Sequence, residues 1–202
     1  DGRFLIDAGQ VDLPERYPSG TLDAILLTHY HMDHVMGLFH LRWGENVRLP
    51  VYGPKDEKGC DDLYKHPGIL DFKEPLAAFQ ETTLAGVQIT PIPLQHSKPC
   101  LGFFLQDDAR TIAYLTDTLG LSESSAIFLE NHSPDVMIID CTHPPTVETP
   151  RNHDNWQQVQ IIQQRVRPGV TVLTHISHQM DCWLMGNELP QGFAVARDGM
   201  QI

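Results

Sequence analysis

Apolar residues along the chain gather in short runs that end, repeatedly, in a histidine or an aspartate. Runs at residues 4–7, 24–28, 51–53, 87–91, 103–106, 111–116, 136–140 and 170–174 are rich in β-branched and aromatic side chains and are bounded by turn chemistry, which predicts strands. Several are continuously apolar, as expected of strands covered by helices on at least one face. Helical signals are fewer. Residues 122–131 open with Ser122 and Glu123, and residues 153–166 follow Asn152 and set Trp156, Val159, Ile162 and Val166 at helical spacing. This order predicts an α/β sandwich rather than strict βαβ alternation.

The run ends carry the chemistry. Leu26-Leu27-Thr28 leads into His29, Leu94-Gln95 into His96, Leu115-Thr116 into Asp117, Ile138-Ile139 into Asp140, and Leu173-Thr174 into His175. Strand ends are where a sheet presents site residues. In Thr28-His29-Tyr30-His31-Met32-Asp33-His34, three imidazoles and a carboxylate occupy six positions. Extended backbone sends His29 and His31 the same way, while Asp33 and His34 turn aside as a helix begins. The pattern offers two adjacent metal sites; the bland alternative is a solvated histidine-rich turn.

Composition bounds the rest. At 202 residues with 41% hydrophobic content, the chain is long enough for its own core, and length favours one domain over residues 1–202. The run Phe4-Leu5-Ile6-Asp7-Ala8-Gly9 reads as material from inside a sheet, so further N-terminal strands are expected before residue 1. Residues 55–76 mix charges with Pro67-Gly68 and read as a surface insertion. Cys60, Cys100, Cys141 and Cys182 show no paired spacing, and a reducing cytoplasm is the simplest home. No apolar run reaches the roughly 18 residues that span a bilayer. A net charge of -12 disfavours nucleic acid and anionic membrane as partners. Trp43, Trp156 and Trp183 are expected in the core, and His40, His66 and His132 at the surface or in structural roles.

The cluster His29-x-His31-x-Asp33-His34, the preceding Phe4 to Gly9 stretch and the later His96, Asp117 and His175 together resemble the metallo-β-lactamase superfamily. That resemblance implies an αββα sandwich and two divalent metal ions. It assigns His29, His31 and His96 to one ion, Asp33, His34 and His175 to the other, and Asp117 to both, with Asp7 bracing the ligand loop. The resemblance is closer to PhnP-type phosphodiesterases, through Arg42-Trp43-Gly44, Val51-Tyr52-Gly53-Pro54, Asp140 to Pro145, Pro150-Arg151-Asn152-His153 and Thr174 to Gln179. It implies hydrolysis of 5-phosphoribosyl 1,2-cyclic phosphate to ribose 1,5-bisphosphate in phosphonate catabolism, with manganese as the first expectation and zinc or iron as alternatives. A structural zinc held in that family by an N-terminal cysteine cluster would take His178 as its fourth ligand.

The catalytic set is then Asp117 and Asp33 at the metals and His153 as the general acid that an alkoxide leaving group needs. Arg151, Lys98 and Arg42 are candidates for a terminal phosphate, and His143 for shaping the pocket. The expected partner is a small cyclic phosphate; a homodimer is left open. A tRNA 3′-processing endonuclease shares the ligand set but needs a basic patch that the residues between Val35 and Gln95 lack. A thioester hydrolase gives no reason for His153. A non-catalytic metal-binding scaffold is the reading from another class.

Overall fold

Residues that expect strands by their β-branched, aromatic runs form them, and the turns between decide which edge each strand presents. The computed structural model describes residues 2–45, 47–146 and 150–202. They fall into two compact units, one up to Pro91 and one from Ile92 to Ile202.

In the first unit, β1 (Phe4–Ile6), β2 (Ala24–Leu26), β3 (Leu49–Tyr52) and β4 (Leu70–Phe72) lie side by side in that order, each parallel to its neighbour. Parallel strands need crossovers, and here these contain one-turn helices: α1 (Leu13–Arg16), α2 (Met32–Val35), α3 (Leu38–Leu41) and α4 (Asp61–Lys65). All four carboxyl ends therefore meet one edge. Ile25, Leu27, Leu38, Val51, Leu63 and Leu70 are fully buried in one cluster.

That cluster corrects the reading of residues 55–76. The segment is not a surface insertion: Leu63 and Leu70 are 0% and 1% exposed, and β4 extends the sheet beside β3. Its charges sit on the outer face of α4 and in the flanking turns, and they hide a buried stripe too short to show a period. Trp43 departs in the other direction. It is 72% exposed, with the Arg42 guanidinium 4.7 Å over its ring.

A hairpin joins β5 (Thr82–Leu84) to β6 (Val87–Leu94), with Leu84 opposite Val87. Both loop residues, Ala85 and Gly86, have positive φ, the twist that a two-residue hairpin turn requires. β5 and β6 belong to a seven-stranded sheet, with β5 as its edge strand.

That sheet continues in the order β6, β7 (Cys100–Gln106), β8 (Thr111–Leu115), β9 (Val136–Asp140), β10 (Val170–Thr174), β11 (Phe193–Val195). β8 is antiparallel to β7, and β8 through β11 are mutually parallel. The crossovers are α5 (Glu123–His132), α6 (Trp156–Val166) and α7 (His178–Met185). α6 buries Trp156, Val159, Ile162 and Val166, the stripe expected from sequence. It starts three residues later than predicted: Asn155, not Asn152, is the cap, accepting from the Gln158 amide at 2.9 Å while the Gln158 side chain accepts from the Asn155 amide. Such a reciprocal cap contributes ~1 kcal/mol. His153 consequently precedes the helix. Arg165 of α6 reaches α5, donating to both Glu123 oxygens at 2.7 and 2.8 Å. Trp156 is in the core and Trp183 packs against it.

If residues 55–76 carry core, Leu63→Ala should cost ~2–5 kcal/mol, the usual range for emptying a buried leucine site. Chemical denaturation would show it; a loss no larger than that of the exposed Lys58→Ala would contradict the assignment.

Candidate metal centre

In the first unit the chemistry-bearing residues follow β1 and β2. Asp7 ends β1 with φ at 62°, a left-handed turn that an aspartate tolerates better than most residues. Its carboxylate accepts from the Thr28 amide and hydroxyl, each at 2.8 Å, and from His34 Nδ1 at 2.7 Å. Burial pushes the Asp7 carboxyl above its ordinary range, and the His34 and Thr28 hydrogen bonds pull it back. Gly9 keeps this loop close: a Cβ there would fall on the Asp33 carbonyl. The Ala8 amide donates to the His34 carbonyl at 2.8 Å, fixing the start of α2.

The hydrogen bonds assign the tautomers. Thr28 gives its only hydroxyl proton to Asp7, so it accepts from His29 Nδ1 at 3.0 Å, and Nε2 becomes the ligating nitrogen of His29. His34 donates through Nδ1, so its Nε2 takes the same role. His31, the last extended residue before α2, brings Nδ1 to 2.8 Å from His29 Nε2, a spacing that one proton or one small cation bridges. Asp33 sits in the first turn of α2 with its carboxylate exposed.

In the second unit Asp140 ends β9, and Asp117 and His175 lie just beyond the carboxyl ends of the parallel strands β8 and β10. Ligand atoms of Asp117, Asp140, His153 and His175 all lie within 4.8 Å of one another. Asp117 is 2% exposed, with an oxygen 3.6 Å from His175 Nε2 and 3.9 Å from His96 Nε2. Thr142 donates its hydroxyl to the His175 carbonyl and accepts from His175 Nδ1, both at 2.9 Å. His96 Nδ1 donates to the Asn152 carbonyl at 3.0 Å. His175 and Asn152 both have positive φ, 54° and 66°, so the backbone is bent to make these contacts.

His153 donates through Nδ1 to Asp140 at 2.9 Å and stacks on His175 with ring centres 4.7 Å apart. Asp140 is fully buried, as is Asp154, whose Oδ1 accepts from the Gly120 amide at 2.7 Å. Burial, then the neighbouring Asp140 charge, push Asp154 up to about 8. His143 has its pKa lowered by burial and by facing His153 and His175.

Sequence reasoning named the ring-bearing residues but gave no role to Thr28, Asp140, Thr142 or the Asn152 carbonyl, which orient them. The usable signal was adjacency: Thr28 precedes a candidate ligand, and Asp140 ends a strand. Of the proposed phosphate-binding cations, Arg42 is engaged elsewhere, donating to Asp62 at 2.8 Å and to the His66 carbonyl. Arg151 is exposed and Lys98 half-buried. His178 opens α7 with Nε2 3.7 Å from Cys182 Sγ.

Imidazole nitrogens and carboxylates in these positions suit hard to borderline divalent ions, and a neighbouring hydrogen bond fixes the ring of each of His29, His34, His96 and His175 as metal sites require. The fold and donor set define a metallo-hydrolase scaffold. The family model for the β-lactamase superfamily domain matches residues 3–176, and the chain belongs to the metallo-β-lactamase superfamily. The crystal structure of the metallo-β-lactamase fold protein YhfI from Bacillus subtilis superposes with a TM-score of 0.78 at 22% identity, covering 97% of this chain and 85% of that one. A diphosphatase of the PhnP family gives 0.79 at 24% identity, covering 97% and 77%. A ribonuclease Z from Halalkalibacterium halodurans is 29% identical over 136 residues, 58% of this chain and 43% of its own length.

If Thr142 sets the His175 tautomer, Thr142→Val should weaken metal binding ~10- to 100-fold, the usual cost of losing such a partner. Competition with a chromophoric chelator would measure this on protein whose circular dichroism is unchanged; equal affinity would remove Thr142 from the role.

Proposed function

We propose that this protein is a metal-dependent phosphodiesterase acting on a small cyclic sugar phosphate, with 5-phosphoribosyl 1,2-cyclic phosphate hydrolysed to ribose 1,5-bisphosphate in phosphonate catabolism. The observation that carries the reading is the Asp140–His153 pair. A phosphoester expels an alkoxide, which leaves readily only as it gains a proton. His153 donates Nδ1–H to Asp140, which orients the ring and leaves Nε2 as the nitrogen from which a proton would pass to the leaving oxygen.

In this proposal His29, His31 and His96 would hold one divalent ion and Asp33, His34 and His175 a second, with Asp117 as a ligand to both. Two divalent ions bound there would make hydroxide available near neutral pH and would offset charge on the phosphoryl oxygens. Asp7, Thr28 and Thr142 keep the ligating nitrogens presented. His143, its pKa lowered, lines the site as a neutral ring. Arg151 and Lys98 meet phosphate oxygens. The reading is supported by similarity to a PhnP-family diphosphatase and by the phosphodiester chemistry in the name of ribonuclease Z. Similarity to ribonuclease Z also keeps tRNA 3′-end cleavage as a second reading, against which the charge of -12 stands.

Two variants and two substrates test the proposal on manganese-loaded protein. Asp117→Ala should abolish hydrolysis of both bis(p-nitrophenyl) phosphate and the cyclic sugar phosphate. His153→Ala should slow the cyclic substrate ~10²- to 10⁴-fold but the p-nitrophenyl ester far less, because p-nitrophenolate leaves without a proton. Equal rates for wild type and Asp117→Ala would sink the enzymatic reading. Faster cleavage of a tRNA precursor than of the cyclic sugar phosphate would replace the substrate.

A further inference from the structure

Residues 141–155 join β9 to α6, and the four positions before the helix are each tied down. The Asn152 carbonyl accepts from His96 Nδ1 at 3.0 Å, the His153 ring donates to Asp140 at 2.9 Å, and Asn155 caps α6. Asp154 reaches two other segments. Its Oδ1 accepts from the Gly120 amide at 2.7 Å, and its carbonyl accepts from the His143 amide at 3.2 Å.

Gly120 belongs to the turn that follows β8 and begins with Asp117. Its φ is 68°, and its carbonyl is held as well, accepting from Thr118 Oγ1 at 2.6 Å. Thr118 in turn donates its amide to Asp140 Oδ2 at 3.3 Å, and its hydroxyl accepts at 3.2 Å from the amide of Gln95, the residue before His96. The contacts therefore form a closed circuit. It runs from Asp154 to Gly120, Thr118, Asp140 and His153, and returns to Asp154 along the chain. Such a circuit leaves the His153 ring little freedom relative to Asp117, whose Oδ2 lies 4.0 Å from Nδ1 of that ring.

Asp154 is fully buried, and its Oδ2 has no hydrogen-bond partner among the described residues. A buried polar atom left unmet loses hydration that nothing returns, so stability alone is a poor reason for an aspartate here. The one hydrogen bond of its side chain among the described residues is the one that closes the circuit.

We propose that Asp154 is a positioning residue for the general-acid step: by holding the Gly120 turn it fixes where the His153 ring stands relative to Asp117 and the leaving oxygen. The proposal rests on the phosphodiesterase reading and deepens it, since Asp154 acts only through His153. What the circuit needs at this position is an acceptor oxygen, which asparagine also supplies.

The test uses manganese-loaded protein and two esters. In Asp154→Ala, kcat for 5-phosphoribosyl 1,2-cyclic phosphate should fall ~10- to 100-fold with KM within ~3-fold, as expected when a proton donor is displaced by a fraction of an ångström. Hydrolysis of bis(p-nitrophenyl) phosphate should slow less than ~3-fold, because p-nitrophenolate leaves without a proton. Asp154→Asn should bring both rates back to within ~3-fold of wild type, since it keeps the acceptor. Hydrogen exchange at the Gly120 amide, a readout apart from turnover, should quicken in Asp154→Ala and not in Asp154→Asn. Should circular dichroism show the alanine variant unfolded, Asp154→Ser, whose shorter side chain leaves the Gly120 amide unmet, replaces it in every arm.

Equal slowing of both esters in a folded variant would reduce Asp154 to a structural residue and overturn the proposal. An asparagine variant as slow as the alanine one would overturn it too, because the acidic group and not the acceptor would then matter, as would unchanged exchange at Gly120. His153→Ala runs alongside: if it slows both esters equally, the acid assignment fails and takes the catalytic half of the proposal with it. A wild type that hydrolyses neither ester refutes the phosphodiesterase reading instead, while exchange at Gly120 still decides whether Asp154 holds the turn.

Discussion

An imidazole offers a metal one nitrogen only when the other is held, and this requirement organises the backbone around every candidate ligand whose tautomer is fixed. His29, His34, His96 and His175 each commit Nδ1, to Thr28, Asp7, the Asn152 carbonyl and Thr142 respectively. The partners are placed at a conformational cost. Asp7, Asn152 and His175 occupy left-handed backbone, which non-glycine residues adopt only where surrounding contacts over-determine it. The Asp7 carboxylate accepts from His34 and, through Thr28, sets His29 as well, so one buried group governs two rings.

Strand polarity supplies the second layer of order. Within each unit the strands bearing site residues are parallel, and all deliver their carboxyl ends to one edge. Asp7 and the His29 to His34 loop follow β1 and β2 in the first unit; in the second, Asp140 ends β9 while Asp117 and His175 follow β8 and β10. Loops at such an edge are free to hold polar residues because the sheet behind them already satisfies its backbone groups and buries its apolar ones.

What the chain discloses follows from how local each signal is. Eight strand runs and the α6 stripe are legible because burial repeats over several consecutive residues. β4, β5 and β11 are missed because none is flanked by a continued apolar run as β2 is by Leu27, and Leu63 and Leu70 are hidden among nearby charges. The ligand-type residues are legible because His and Asp at strand ends are chemically conspicuous. Their orienting partners are not, since Thr142 reaches His175 across 33 positions and Asn152 contributes only a carbonyl, which every residue has. The start of α6 is misread for a related reason: Asn152 and Asn155 are equally good caps by type, and only the Gln158 side chain, which completes the box, separates them.

The placement of His153 rests on a buried pair of aspartates, Asp140 and Asp154, of which its ring meets only the first. Asp140 and Asp154 are fully buried neighbours, and two carboxylates in one low-dielectric site do not both ionise readily. Burial raises Asp154 to about 8, with the Asp140 charge adding to it and the Gly120 amide opposing it, so near neutrality Asp154 holds its proton. Asp140 Oδ2 accepts from both the His153 ring at 2.9 Å and the Thr118 amide at 3.3 Å. Of these two aspartates, fourteen positions apart in the chain, the sequence pattern marked only Asp140, and it is the one that holds the His153 ring.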